Sequence, residues 1–191
     1  MAVLLGVGAM AFSGSRSGRV TIRQAENTIR QMIENGRATA ISSGSTVRLL
    51  LADDPSVTDQ MFRRMLLVRS TDTADPTSGS AIWKQIGTHV DFPDNIFADL
   101  SSMQPPSGAV VIPQVMYEPS TGIEGQGTTW LEFRFLPDGS SAVPGARLIA
   151  TTGILDESSA SPTVLTDPEQ RVGCIVRKNG RPTTIESPSQ L

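Results

Sequence analysis

The sequence has a single cysteine, Cys174, a single histidine, His89, and a single tyrosine in 191 residues, and aromatic side chains make up only 5% of it. One cysteine excludes an intramolecular disulfide framework and any zinc or iron–sulfur site built from several thiolates. Charge is also scarce: 18% of residues are charged, and 16 basic against 19 acidic side chains leave a net charge of −3. That balance gives no overall electrostatic footprint for nucleic acid, so no nucleic-acid partner is expected. No repeat of fixed period is present, and no apolar run reaches the roughly 20 residues of a membrane span. What remains is a hydrophobic share of 38%, above that of disordered chains, in a length that can bury one real core.

The scarce charge is unevenly placed. Between Met1 and Arg37 stand Arg16, Arg19, Arg23, Arg30 and Arg37 against Glu26 and Glu34, a local excess of +3 that leaves −6 on the rest. A basic arm on an acidic body suggests two parts with different tasks; an arginine-rich solvated helix face is the plainer alternative. Before Arg16 the run MAVLLGVGAMAF carries no charge at all. Three readings fit it. It is the hydrophobic region of a signal peptide, with Ala9-Met10-Ala11 as cleavage pattern but no basic residue ahead of it; or a buried core segment; or the distal end of a longer apolar helix.

From Gly18 the periodicity is helical. Ile22, Ala25, Ile29, Met32, Ile33, Gly36 and Ala40 recur at spacings of three and four, with charged and amide side chains between them, as an amphipathic helix requires. Glu26 precedes Arg30 by four residues, the favourable order for a helical ion pair. The Ser/Gly-rich stretch Ser13 to Gly18 is expected to bend or break the helix. Beyond Ile41 the pattern turns to strands: Thr46 to Ala52, Arg63 to Ser70, a short edge strand from Ile82 to Thr88, and Ala109 to Met116, which Pro113 confines to an edge or bulge. In Thr129 to Leu136, Leu131, Phe133 and Phe135 alternate with Trp130, Glu132 and Arg134, placing three large apolar side chains on one face. Pro137-Asp138-Gly139 is a turn, Arg147 to Thr152 a strand, and Arg171 to Arg177, Asn179-Gly180 and Arg181 to Ile185 a closing hairpin. Asp91 to Gly108 and Asp156 to Pro168 are expected to be irregular connections. The layout is α+β: an N-terminal amphipathic helix packed on one face of antiparallel β-sheet.

The chemistry-bearing side chains form no catalytic pattern, and the chain is expected not to be an enzyme. His89 would allow a Ser-His-Asp arrangement, but no Gly-x-Ser-x-Gly elbow surrounds a serine, and a structural histidine is the simpler expectation. Cys174 lies among Val172, Ile175 and Val176, as a buried inert thiol does. Asp53, Asp54 and Asp59, or Asp91, Asp94 and Asp99, could gather round a hard cation, yet neither set has the spacing of a calcium loop; no metal is expected. Gly122 to Gly127 lacks the Gly-Lys-Ser/Thr ending of a phosphate loop. Trp83 and Trp130 could form a ligand platform, with strand packing the plainer reading. No cofactor is expected.

The phrase Gly36-Arg37-Ala38-Thr39-Ala40-Ile41-Ser42-Ser43-Gly44-Ser45-Thr46-Val47-Arg48-Leu49 after an apolar helix end resembles the type IV pilin-like superfamily. The best match within it is the H-type minor pseudopilins (GspH) of type II secretion and their FimT-like relatives, in which such a helix leads straight into the first strand. Leu131 to Gly139 is similar to that family's "F.PDG" hairpin, and Val172 to Arg181 to its closing "GR" hairpin. Arg63 to Val68 followed by Trp83 also resembles the Verru-Chthon cassette protein D family. The resemblance covers most of the chain through an ordered series of individually weak motifs.

The resemblance implies a non-catalytic structural subunit of a type II secretion pseudopilus or type IV pilus-like filament. Residues 1–17 would be the distal part of a truncated hydrophobic stem, and 18–191 the head, with helix 18–41 and a β-rich part 46–186. Val3, Leu4, Leu5, Val7 and Met10 would pack the stem against other pilin-like subunits, while Ile22, Ile29 and Ile33 would anchor helix to sheet. The full-length stem would sit in the inner membrane, with the head in the periplasm or on a cell-surface filament. The family's basic leader, Gly-Phe cleavage site for prepilin peptidase and early glutamate are not in this sequence, so Met1 is expected to lie within the natural helix. Arg16 and Arg19 also run against the positive-inside tendency. The rival expectation is a secreted or periplasmic β-rich binding domain with a degenerate signal peptide; a small hydrolase using His89 is a third.

Overall fold

The computed structural model describes residues 3–54, 61–71, 83–103, 112, 114–116, 123, 129–156 and 163–185, with the backbone alone at 3–20, 101, 114, 116, 155–156 and 163–168. Helix α1 (Val3–Ser43) is one unbroken element of 41 residues, about 60 Å long at the α-helical rise. The expected joint at Ser13 to Gly18 is absent. Serine and glycine each weaken a helix by about 1 kcal/mol or less, which does not stop one that good helix formers continue on both sides. Gly44 ends it: at φ 61° it takes the left-handed conformation of a C-terminal cap, and its N–H donates back to the Ile41 carbonyl.

Among the described residues nine strands follow in two antiparallel sheets. The first contains β1 (Val47–Ala52), β2 (Arg64–Ser70), β3 (Trp83–Asp91), β5 (Gln114–Met116) and β6 (Thr129–Phe135), in the order β3-β2-β1-β6-β5. The second contains β4 (Ile96–Ala98), β7 (Arg147–Asp156), β8 (Thr163–Val176) and β9 (Pro182–Thr184), in the order β4-β7-β8-β9. Central strand β1 pairs with β2 and β6 so that Leu49 stands opposite both Leu67 and Phe133. All six of its residues are buried. That is why its sequence reads as a continuous apolar run around Arg48 and does not alternate.

The α+β expectation holds, with one correction: α1 packs on both sheets and not on one, chiefly on β8, β1 and β7. Its stripe of Ile22, Ala25, Ile29, Met32, Ile33 and Ala40 shares the main core with Val47, Leu49, Leu51, Leu131, Phe133 and Phe135 from the first sheet and Leu148, Ala150, Cys174 and Val176 from the second. On its other face the first sheet carries a second core of Leu50, Ala52, Leu66, Val68, Trp83, Ile123 and Trp130. Period-2 alternation explains both: odd positions of β1 and β6 meet the helix side, and even-numbered Leu50, Ala52 and Trp130 turn away from it.

Other differences from expectation are local. β3 runs on to Asp91, so His89 lies within a strand. The segment expected to be irregular after Asp91 contains β4 and the one-turn helix α2 (Leu100–Met103), which Asp99 starts by accepting hydrogen bonds from Ser102 N–H and Oγ. In the connection expected from Asp156 to Pro168 the described residues are strand, because β7 extends to Asp156 and β8 begins at Thr163. Pro113, and Ala109 to Val111 of the strand expected there, lie outside the described residues; β5 occupies the edge of its sheet.

Candidate functional site

The three sequence phrases that carry the resemblance converge on one place, the C-terminal third of α1. Gly36 lets the helix approach β6 closely: a Cβ there would stand 2.9 Å from a ring carbon of Phe135. One turn later Ile41 fills the space above Gly139, where a Cβ would meet its Cδ1 at 2.5 Å. Gly139, at φ 79°, closes the Pro137-Asp138-Gly139 turn after β6, and Gly180, at φ 73°, closes the turn between β8 and β9. Both need glycine for conformation and for space.

These two turns, one from each sheet, touch each other under Arg37. A Cβ on Gly180 would come within 2.1 Å of the Gly139 carbonyl oxygen and 3.2 Å of Arg37 Cδ. The Arg37 Nε–H donates to the Asn179 carbonyl at 2.9 Å, and the Ser141 N–H donates to the Lys178 carbonyl at 3.0 Å. Each turn is also fixed internally. Asp138 Oδ1 accepts from Ser140 N–H and Oγ, and those hydrogen bonds hold its carboxyl below the usual range. Asn179 Oδ1 accepts from the Arg181 N–H at 3.1 Å. The result is a clasp that ties α1 to both sheets at one end of the head. Sequence inspection finds the two turns but not their contact, because Gly139 and Gly180 belong to different hairpins.

The sequence-predicted residues fall into two groups. Ile22, Ile29 and Ile33 are buried in the main core, the last two with no exposed surface. Val3, Leu4, Leu5, Val7 and Met10 lie in the helical backbone of α1, and their side chains are outside the described residues. Between α1 and strands β2 and β3 runs an open groove of about 450 Å³, lined by Met32, Asn35, Ala38, Thr39, Leu67, Ile86 and Val90 among others.

Arg48, Arg63, Arg64, Arg134 and Arg171 are committed to ion pairs with carboxylates. On the outer face of the first sheet Glu132, fully buried, forms ion pairs with Arg48 at 3.3 Å and with Arg134. The Arg48 guanidinium stacks 3.7 Å from the centre of the Trp83 ring. The alternation of β6 puts Glu132 and Arg134 on the face away from the main core, and that face is itself covered by a second core; the two tryptophans, Trp83 and Trp130, are the sequence signal for it. Trp83 and Trp130 are both buried, so neither presents a ligand platform.

His89 Nε2 lies 3.8 Å from Asp91, but both oxygens of that carboxylate accept from Arg64 at 2.9 Å. The Arg64 hydrogen bonds hold Asp91 below its ordinary pKa against the opposing effect of burial, with the charges of Arg64, His89 and Arg63 adding to them. Asp94 pairs with Arg63 at 3.0 Å and buried Asp99 with Arg171 at 2.7 Å. The three aspartates considered as a cation site thus engage three different arginines. Asp54 accepts from the Thr129 N–H, and Asp59 lies outside the described residues. Among the described residues no three His, Cys, Asp or Glu side chains gather as a metal site. Of Gly122 to Gly127, Ile123 alone is described, buried in the second core. Burial, followed by the charge of Glu26, pushes the Cys174 thiol up to about 11.

No protein-family model matches the chain, and no curated protein does. Among solved structures the chain is similar to the minor pseudopilin EpsH from the type 2 secretion system of Vibrio cholerae, at 13% sequence identity and a TM-score of 0.46 over 86% of this chain and 95% of that one.

Proposed function

We propose that this chain is a non-catalytic, pilin-like structural subunit that assembles through its N-terminal helix, in the manner of a minor pseudopilin of type II secretion. The observation that carries the reading is the continuity of α1. A single helix links the uncharged run at the N-terminus to a stripe seated in the core of a β-rich head. The clasp supports it further, since the motifs that suggested the family form one structural unit that fixes helix to head. A signal peptide cut after Ala11 would divide this helix in its first third.

In this reading Val3, Leu4, Leu5, Val7 and Met10 pack against the stems of other pilin-like subunits, and Gly6 and Gly8 allow backbones to approach closely. Ile22, Ile29 and Ile33 transmit the position of the stem to the head. No helix of the described residues is long and apolar enough to cross a membrane; the proposed inner-membrane association precedes assembly, with the head on the periplasmic side.

Cross-linking tests the reading, because the raised pKa and burial of Cys174 leave it silent as a background thiol. Met10→Cys in the native cells is expected to form disulfide-linked species with other pilin-like subunits carrying a matched stem cysteine, whereas Glu34→Cys, on the exposed helix face of the head, is not. Recovery of the chain as a free monomer without its first residues overturns the proposal and favours the secreted binding domain.

A further inference from the structure

The pair Asn179-Gly180 carries a chemistry that the assembly reading does not use. In an asparagine followed by glycine, the next backbone nitrogen reaches the side-chain carboxamide with little hindrance, because glycine has no Cβ. That nitrogen, its proton lost to solvent, attacks Cγ; the carboxamide nitrogen takes up a proton from water and leaves as ammonia as the C–N bond breaks. A five-membered succinimide results, which water opens to aspartate or isoaspartate. No oxidant or further reactant is needed.

In the folded head both reacting groups are held. The Gly180 N–H donates to the Arg177 carbonyl at 2.8 Å, and Asn179 Oδ1 accepts from the Arg181 N–H at 3.1 Å. Gly180 is buried against the Gly139 carbonyl, and Arg37 holds the Asn179 carbonyl from the helix side at 2.9 Å. Asn179 itself is exposed, so solvent water has access throughout. Closure of the ring needs the turn to release these contacts.

We infer that Asn179 is a gated modification site: silent while the clasp on α1 is closed, and deamidated when the clasp opens. The isoaspartate product adds one carbon to the main chain and a negative charge next to Gly180, whose seat against Gly139 has no room to spare. A chain that carries isoaspartate therefore cannot close the clasp again. The site would record, covalently, each head whose grip on the helix has been lost. The inference stands on the turn geometry and is independent of assembly.

The test incubates the full chain in mildly alkaline buffer, folded and in urea, beside folded Arg37→Ala, and follows isoaspartate at position 179 by peptide mapping and mass spectrometry. Deamidation of the folded protein is expected to be more than about tenfold slower than in urea, because it is limited by the open population. Arg37→Ala is expected to react several-fold faster than the folded wild type. If that variant does not fold, Arg37→Lys, which keeps charge and stem but loses the Nε donor, is expected to show the same acceleration. Chains with isoaspartate at position 179 are expected to be missing from the folded pool after urea removal. A folded wild type that reacts at the unfolded rate, an arginine variant that folds and reacts at the wild-type rate, or isoaspartate recovered in the folded pool overturns the inference.

Discussion

The two faces of the five-stranded sheet are held by opposite means. On β1 and β6 the face toward α1 is apolar: Val47, Leu49, Leu51, Leu131, Phe133 and Phe135 meet the helix stripe in the main core. The far face is just as buried, yet it encloses Glu132 between Arg48 and Arg134 beneath Trp83 and beside Trp130. Apolar contact is non-directional, so the helix face depends on volume and close approach. A buried carboxylate loses its hydration and recovers that loss only from well-placed partners, so the far face depends on register. Glu132 on β6 stands opposite Leu50, and Arg48 stands opposite Arg134; without the carboxylate, two guanidinium groups would face each other across the strands.

The sharpest way to break this contrast is Glu132→Ala, which leaves buried Arg48 and half-buried Arg134 without their shared counter-charge. A loss of about 3–5 kcal/mol is expected, read from the urea midpoint at constant m-value. Replacing the set together, with Arg48→Met, Glu132→Leu and Arg134→Met, is expected to be neutral or stabilising by up to about 4 kcal/mol. If the single change has no effect, the far face is held by its tryptophans and leucines, and the ion cluster is incidental.

The same contrast explains what the sequence disclosed. The helix stripe and the alternation of Leu131, Phe133 and Phe135 are local periodicities, readable from spacing. The burial of Glu132 is not local: it requires knowing that β1 and β6 are neighbours although about eighty residues separate them, and that Trp83 on β3 reaches Arg48 across β2. β4 was obscured by brevity, since its three residues carry no period and sit in a proline-containing stretch, whereas β5 falls within the strand expected from Ala109 to Met116. The clasp is intermediate. Gly139 and Gly180 are recognisable as turn glycines, but their contact is a tertiary fact about two sheets meeting on one helix. The continuity of α1 was masked by propensity, because Ser13, Gly14, Ser15, Ser17 and Gly18 read as a joint.

Gly180→Ala probes the helix side of the comparison, where close approach is the sensitive quantity. The new methyl would meet a backbone oxygen, Gly139 O, and a backbone cannot rotate aside as a side chain does; the positive φ adds strain. A loss of about 1–3 kcal/mol is expected by overpacking, measured by urea unfolding. Gly36→Ala is expected to cost less, since its nearest neighbours are the Phe135 ring and the Leu67 side chain, which can shift. Equal costs for the two variants would show that the clasp yields as readily as the core.

The smallest effect concerns a third arginine–carboxylate contact, at the edge of the same sheet. Arg64 grips Asp91 with two hydrogen bonds of 2.9 Å, better geometry than Arg48 offers Glu132, but the Asp91 side chain is 36% exposed. Its pKa is lowered on folding, so the unfolded chain binds the proton more readily. The stabilisation is therefore complete above the unfolded value of about 3.9 and is lost as pH falls through the folded value. Solvent screening keeps it small. Arg64→Met is expected to lower the urea midpoint slightly at about pH 6, with the difference from wild type shrinking toward about pH 2 and also in about 1 M salt. The cost of Glu132→Ala should survive that salt, because ions do not reach a carboxylate with no exposed surface. If both variants respond to salt alike, the far face of the sheet admits solvent, and its contrast with the helix face fails.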